Sequence, residues 1–241
     1  MSRARLFRPP PRFYGQPSAG GSPTGSAAAA TISGTIITAA TAASAPTSVV
    51  PFGFEDKIII FGLAIAAAGV GTTIDSATIN GVPAFVDAQA NTGGYIAAVI
   101  SAPAVITPED RIFNLRCLLS ASGAAAARFY AQTFQGALSL RPIVPPQTST
   151  TAIDTARSAT TDRYRNGIVI ATAINDVGAA NQCIWSGTIG ASEQDDAAVG
   201  TARASFARGL NIASDVLGGT VISTFDVIST TGISLAVATY R

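Results

Sequence analysis

From about residue 30 onward the chain is a succession of short apolar and β-branched runs, each closed by a turn signal. Thr31–Thr38 reads TISGTIIT, and Lys57–Ala66 is a continuous apolar run of the kind a core strand supplies. Ile74–Ile79 leads through Asn80-Gly81 into Val82–Asp87, a two-residue hairpin signal. Arg111–Leu119 shows period two, with Phe113, Leu115, Cys117 and Leu119 on one side and Asn114 and Arg116 on the other. Further runs follow at Tyr95–Ser101, Arg128–Phe134, Gly167–Ile174, Cys183–Gly187, Arg203–Phe206, Val221–Val227 and Ile233–Tyr240, the last alternating cleanly. The connection from Arg141 to about Arg165 is polar, carries proline and contains one short run. The Ala-rich pieces Ala39–Ala45 and Ala124–Ala127 lack an apolar stripe over enough turns to hold a helix. About a dozen short strands at this spacing predict an all-β fold, an antiparallel β-sandwich of jelly-roll-like type. The sandwich is expected over residues 30–241, with two strand-rich halves at 30–140 and 150–241.

The surface of such a body is unusual. Of the 241 residues, 48% are apolar and only 12% charged, against about 25% charged in ordinary soluble domains. Ser, Thr, Ala, Gly, Asn and Gln must therefore cover most of it, which suits a subunit packed against neighbours better than a lone monomer. The net charge of +1 conceals an asymmetry. Residues 1–54 hold Arg3, Arg5, Arg8 and Arg12 and no acid (+4), while the rest holds 11 basic and 14 acidic groups (−3).

Residues 1–29 form an extended basic arm and linker. MSRARLFRPPPRFYG interleaves arginine with Phe7, Phe13 and Tyr14 around Pro9-Pro10-Pro11, and GQPSAGGSPTGSAAAA follows as a Gly/Ser/Pro/Ala linker with nothing to pack. The prolines stand where a secretory signal would need its apolar run. The uncharged stretch Ile58–Ile74 contains three glycines and is short of the ~20 residues of a bilayer span, so no membrane span is expected. The arm residues Arg3, Arg5, Phe7, Arg8, Arg12, Phe13 and Tyr14 are the expected partner-binding set. Four arginines are few for phosphate-driven binding, so a protein surface is favoured over nucleic acid.

Much chemistry is excluded. The chain has no histidine, which removes Ser-His-Asp and Cys-His hydrolysis and His-based zinc sites. No P-loop, GxSxG elbow or GxGxxG stands in a strand–helix context. Cys117 and Cys183 read as small buried hydrophobes, though one disulfide is compatible with the sequence. No catalytic residue and no cofactor is expected. The acidic pairs Glu55-Asp56 and Glu109-Asp110 read as turn residues before strands. The densest acidic spot, with Glu193, Asp195 and Asp196, is a weak metal candidate without EF-hand spacing and reads as a solvated loop. The stretch Arg157–Arg165, with Arg157, Arg163, Tyr164 and Arg165, reads as a charged loop able to face a receptor glycan or another subunit. Trp185, the only tryptophan, reads as a core or interface anchor, with a sugar platform as the alternative.

The middle of the chain, DKIIIFGLAIAAAG, TIDSATINGVPAFVDAQANTGGYIAAVISAPAVI, RIFNLRCLLS and AARFYAQTFQG, resembles a β-sandwich module of phage and prophage virion proteins of the tail-fibre, spike or decoration type. The counterparts are Asp56–Leu63, Ser76–Ala84, Ala102–Leu119 and Arg128–Gly136, and the closing ISLAVATYR is similar to the terminal strand of such modules. The resemblance spans roughly 56–241 and carries no site residues. It implies a structural protein located in a virion, joined to other virion proteins through its arm, and a homo-oligomer, by analogy a trimer. Two rival expectations are a carbohydrate-binding adhesin for a host receptor and a carboxylate glycosidase.

Overall fold

The computed structural model describes residues 24–33, 42–48, 57–66, 68–79, 81–103, 112–121, 126–135, 139, 141–151, 153–165, 167–178, 180, 182–210 and 214–241. Among these residues there is no helix. All strand pairs are antiparallel, and none of the described elements is a helix long and apolar enough to cross a membrane. The all-β expectation is met.

The first half makes one eight-stranded sheet. Its strands are β1 (Thr24–Ser33), β2 (Ala42–Ser48), β3 (Lys57–Ala66), β4 (Ile74–Ile79), β5 (Val82–Thr92), β6 (Tyr95–Pro103), β7 (Ile112–Leu119) and β8 (Ala126–Gln135). They are ordered β1-β8-β3-β6-β5-β4-β7-β2. The Asn80-Gly81 signal places the β4–β5 hairpin correctly: Ile79 pairs with Val82, and Gly81 takes φ +80°, which a side chain would resist. The sheet curls like half a barrel, so that Phe61, Leu63 and Ile65 of β3 share an apolar interior with Ile96, Ile100, Leu115, Cys117, Leu119 and Phe129. Period two puts the other side of β3, with Ile58, Ile60 and Ala64, against a second layer. Burial on both faces explains why β3 reads as an unbroken apolar run.

The second half supplies two more sheets. A five-stranded sheet runs β13-β14-β11-β16-β9, from β9 (Gln147–Thr151), β11 (Ile168–Asn175), β13 (Ser192–Val199), β14 (Ala202–Leu210) and β16 (Ile233–Tyr240). A three-stranded sheet runs β10-β15-β12, from β10 (Ala156–Arg163), β12 (Cys183–Ser186) and β15 (Val216–Phe225). Every residue of β11 and β16 is buried. Ala236, Ala238 and Tyr240 pack toward the curled sheet, and Ile233, Leu235 and Val237 toward the three-stranded one. The five-stranded sheet is thus the middle layer. Its approach to β3 is close at Gly62, where a Cβ would stand 2.5 Å from the Phe206 ring and 2.6 Å from Thr172 Oγ1.

Polar side chains fasten layer to layer. Ser234 Oγ donates to the Tyr95 carbonyl at 2.7 Å, and Tyr240 hydroxyl donates to Asp87 Oδ2 at 2.7 Å. The Asp87 side chain, fully buried, also accepts from Ser101 and pairs with Arg141 Nε at 3.1 Å. Burial raises the Asp87 carboxyl above the ordinary carboxylate range, against the hydrogen bonds from Ser101 and Tyr240 and the charge of Arg141. At the far end of β11, Asp176 accepts from the backbone and hydroxyls of both Thr230 and Thr231. Burial there works upward, but those hydrogen bonds win and hold Asp176 below its usual value.

Three expectations need correction. The linker expected through residue 29 gives way at Thr24, where β1 pairs along β8 from Thr24↔Gln135 to Ser33↔Ala126. The polar connection from 141 to 165 contains two strands, β9 and β10, so Arg157 and Arg163 lie on a strand and not in a loop. The acidic stretch at 193–196 is likewise not a solvated loop: it lies in β13. In each case pairing to a neighbouring strand overrode a polar or Ala-rich local composition.

Candidate binding cleft

A bulge in an edge strand helps shape a cleft that gathers charged and aromatic side chains. β13 pairs with β14 as Glu193↔Ala207 and then Asp195↔Phe206, so Gln194 is an extra residue. Residues three apart on a regular strand face opposite sides. The extra residue resets that parity, and Glu193 and Asp196 come to the same side while Asp195 turns to the other. Asp195 there forms a bidentate pair with Arg128 of β8, at 2.5 and 2.6 Å, which ties the middle layer to the curled sheet.

On the first side, Glu193 and Asp196 border a hollow of about 520 Å³. Arg203 of β14 completes that wall, and Gln182 with Cys183, Ile184 and Trp185 of β12 form the opposite one. The β13–β14 hairpin turns at Gly200-Thr201, with Gly200 at φ +62°, and its register sets Arg203 diagonally across from Asp196. Arg203 Nε and Nη2 grip the Asp196 carboxylate, each at 2.8 Å, and Cys183 N–H donates to Asp196 Oδ2 at 3.1 Å. Asp196 therefore blunts the free edge of β12 as well as pairing Arg203. Trp185 is half-buried, and its Nε1–H donates to Ser205 Oγ at 2.7 Å, so the ring is fixed at one end. Ile184, the preceding residue, faces the outer side of the three-stranded sheet and is 65% exposed. Gln182 N–H donates to Asp226 Oδ1 at 3.1 Å, which brings a further, exposed carboxylate to the rim.

The charges do not cancel. Glu193, Asp196 and Asp226 against Arg203 leave −2 (three carboxylates, one guanidinium). Among the described residues Glu193 makes no ion pair, and its carboxyl lies above the ordinary range, through burial first and then the nearby Asp196 and Asp195 charges, with Arg203 opposing. Burial pushes the Cys183 thiol strongly up, so it is no nucleophile. Glycoside hydrolysis needs two carboxylates on opposite sides of the scissile bond. Glu193 and Asp196 come from one strand and stand on one wall. The cleft thus sets a net negative charge beside a half-buried indole.

No protein-family model, curated protein or solved structure matches the chain.

The residues singled out from sequence are divided by the fold. Trp185, Glu193 and Asp196 meet in the cleft, and Asp195 is turned away from it. The carboxylates of Asp195 and Asp196 hold arginines, and among the described residues no group of three or more His, Cys, Asp or Glu is gathered for a metal, so the weak metal candidate is withdrawn. Arg157 lies in the same cross-strand row as Ser223 and Trp185 and, like them, points inward. Arg163 Nη1 donates to the Ile189 carbonyl, Tyr164 hydroxyl to Asp162 at 3.3 Å, and the Arg165 N–H to Asp215 at 2.6 Å. These four do not converge on one site. Arg3, Arg5, Phe7, Arg8, Arg12, Phe13 and Tyr14 lie outside the described residues. Sequence reading missed Arg203 and Gln182. The Gly200-Thr201 pair was the available signal, since a two-residue hairpin there fixes Arg203 against Asp196.

Proposed function

We propose that the chain is a non-enzymatic structural subunit of a phage-like particle, a sandwich-type stack of antiparallel sheets that packs against neighbouring subunits and is fastened through its N-terminal arm. The observation that carries the reading is the outer face of the three-stranded sheet. Outward positions alternate with buried ones and run in rows: Thr160 beside Thr220, Ser158 beside Ile222 and Ser186, and Ala156 beside Thr224 and Ile184. None is charged. Leu217, 70% exposed, adds apolar surface at one end. A sheet face with so little charge has little to keep it from a neighbour, whereas a free-standing sheet is normally defended by charge.

The body's few charges are consistent with this reading. Arg128, Arg203 and Arg141 pair with Asp195, Asp196 and Asp87 at the joints between strands and layers, which engages six of the 25 charged groups of residues 55–241. The resemblance of the middle of the chain to phage sandwich modules supplies the kind of assembly. A second reading, a host-receptor adhesin that binds glycans, draws on the aromatic wall of the cleft at Trp185.

Two changes test the proposal. Removing residues 1–23, which stops short of β1, is expected to leave the far-ultraviolet β-sheet spectrum intact and to abolish incorporation into particles. Ile222→Lys is expected to keep the fold and to reduce subunit association in sedimentation velocity. Normal incorporation of the truncated chain, or unaltered association of the lysine variant, counts against the reading. Binding of a glycan that is lost in Trp185→Ala would favour the adhesin instead.

A further inference from the structure

The cleft between β12 and β13 carries a net negative charge and an anchored, half-buried tryptophan, and among the described residues Glu193 makes no ion pair, feeling the Arg203 charge only from a distance. A partner that fits needs a cation with a planar face. Guanidinium satisfies both demands: it forks onto a carboxylate and stacks on an indole. Such groups are concentrated in one place in this sequence. Residues 1–54 carry four arginines and no acid, whereas the remainder carries an acidic excess of three. Arg8 and Arg12 flank Pro9-Pro10-Pro11, and Phe7 and Phe13 adjoin them. Proline restricts the unbound segment and so lowers the entropy lost on docking.

We infer that the cleft lined by Trp185, Glu193 and Arg203 is the socket for the arginine-bearing N-terminal arm (residues 1–15) of a second copy of this chain. The inference rests on the structural-subunit reading and deepens it by naming where the arm lands. Glu193 receives one arginine of the arm as a charge-assisted pair, and the exposed part of the Trp185 ring receives its proline or aromatic neighbour. Asp226 at the rim adds attraction for a second arginine. The Asp196–Arg203 pair stays intact and shapes the wall, so the arm is not asked to break a buried ion pair.

The chain carries its own reporter, because Trp185 is the only tryptophan. The experiment uses the full-length chain with Arg3, Arg5, Arg8 and Arg12 all changed to Gln, so that its own arm does not compete. A synthetic peptide of residues 1–15 is titrated in while Trp185 emission is followed. The expected result is a saturable emission change that weakens with added salt. Glu193→Gln in the same background should raise the dissociation constant by about tenfold, the usual effect of losing one charge-assisted contact. The peptide with Arg8 and Arg12 changed to Gln should bind more weakly still. In the unmodified chain, Glu193→Gln should lower self-association in sedimentation velocity.

An absent emission change in a chain with a native β-sheet spectrum overturns the socket. So does peptide binding that Glu193→Gln leaves unaltered. If truncation of residues 1–23 abolishes incorporation while the peptide does not bind the cleft, the structural reading survives and the landing place lies elsewhere. If a neutral oligosaccharide changes the emission and the peptide does not, the cleft is a sugar site and the inference fails.

Discussion

β15 and β16 follow one another in the chain and are buried to different depths. β15 buries alternate residues and leaves Thr220, Ile222 and Thr224 half-covered on its outer side, while β16 buries all eight. Both are rich in apolar and hydroxyl side chains, so composition does not separate them. Position in the stack does. β16 lies in the middle layer, with Ala236, Ala238 and Tyr240 against the curled sheet and Leu235 and Val237 against the outer sheet. β15 is the centre of an outer layer with one covered face. The lesson is that small residues on β16 are a packing requirement: two sheets close on it at once, and alternating Ala and Ser on one side let the curled sheet approach.

The sharpest way to break this comparison is to remove volume from each strand. Leu235→Ala empties space between two layers and should cost roughly 2–5 kcal/mol, as large-to-small core changes do. Ile222→Ala, on the outer side of β15, should stay within about 0.5 kcal/mol. Chemical denaturation of both variants decides it, and similar losses would mean that the middle layer is not more constrained than the outer one. A smaller loss, from volume added and not removed, is expected from Gly62→Ala. The added Cβ meets Phe206 and Thr172 across the layer boundary, and such overpacking typically costs 1–3 kcal/mol, read in the same denaturation experiment.

How far the sequence revealed this comparison depends on what each strand packs against. Period two at Leu115, Cys117 and Leu119 and the Asn80-Gly81 turn were legible, because a strand and its hairpin are local. The alternation of Ile233–Tyr240 was also legible, but its burial on both faces was not, since that requires knowing that two sheets meet on it. β10 and β13 were misread because their residues are polar. Their ordering comes from partners far along the chain: Asp195 from Arg128, and the β10 ladder from β15. Part of the cleft was visible as Trp185 and the acidic triplet. The bulge at Gln194 that sends Asp195 one way and Asp196 the other leaves no mark in composition.

The two buried carboxylates sharpen the comparison through pH. Asp87 fastens the curled sheet to β16, and Asp176 fastens β11 to the loop before β16. Asp176 is held below its unfolded value, so its contribution is present above about pH 4 and is lost as pH falls through the folded value. Asp87 lies above its unfolded value, so its contribution is full below about pH 4 and declines as pH rises through the folded value. Unfolding midpoints measured from acid to neutral pH should therefore respond oppositely to the two substitutions. Asp176→Asn should lose its disadvantage against the wild type at low pH, and Asp87→Asn should improve relative to the wild type as pH rises. Parallel behaviour would show that one of the two hydrogen-bond sets is not formed in solution.

The smallest expected signal is chemical, and it ranks the layers by how readily each opens. Cys117 and Cys183 are both unpaired. They belong to different cores, Cys117 to the interior of the curled sheet and Cys183 to the core between the middle and outer layers. The folded chain thus has no intramolecular disulfide to make without opening. Burial pushes the Cys117 thiol up to about 12 and raises Cys183 as well, so neither is a thiolate near neutral pH. Their access differs. Cys117 is fully enclosed at 0% exposure, whereas Cys183, at 2%, stands in the wall of the cleft beside a four-residue edge strand. Short edge strands with few neighbours open at lower free energy than enclosed ones. A thiol reagent should therefore label Cys183 slowly and Cys117 more slowly still, with both reacting at once in denaturant. Mass spectrometry of the labelled chain assigns the order. Faster reaction at Cys117 would place the weakest part of the molecule in the curled sheet, and the ranking of a firm middle layer over a looser outer one would have to be redrawn.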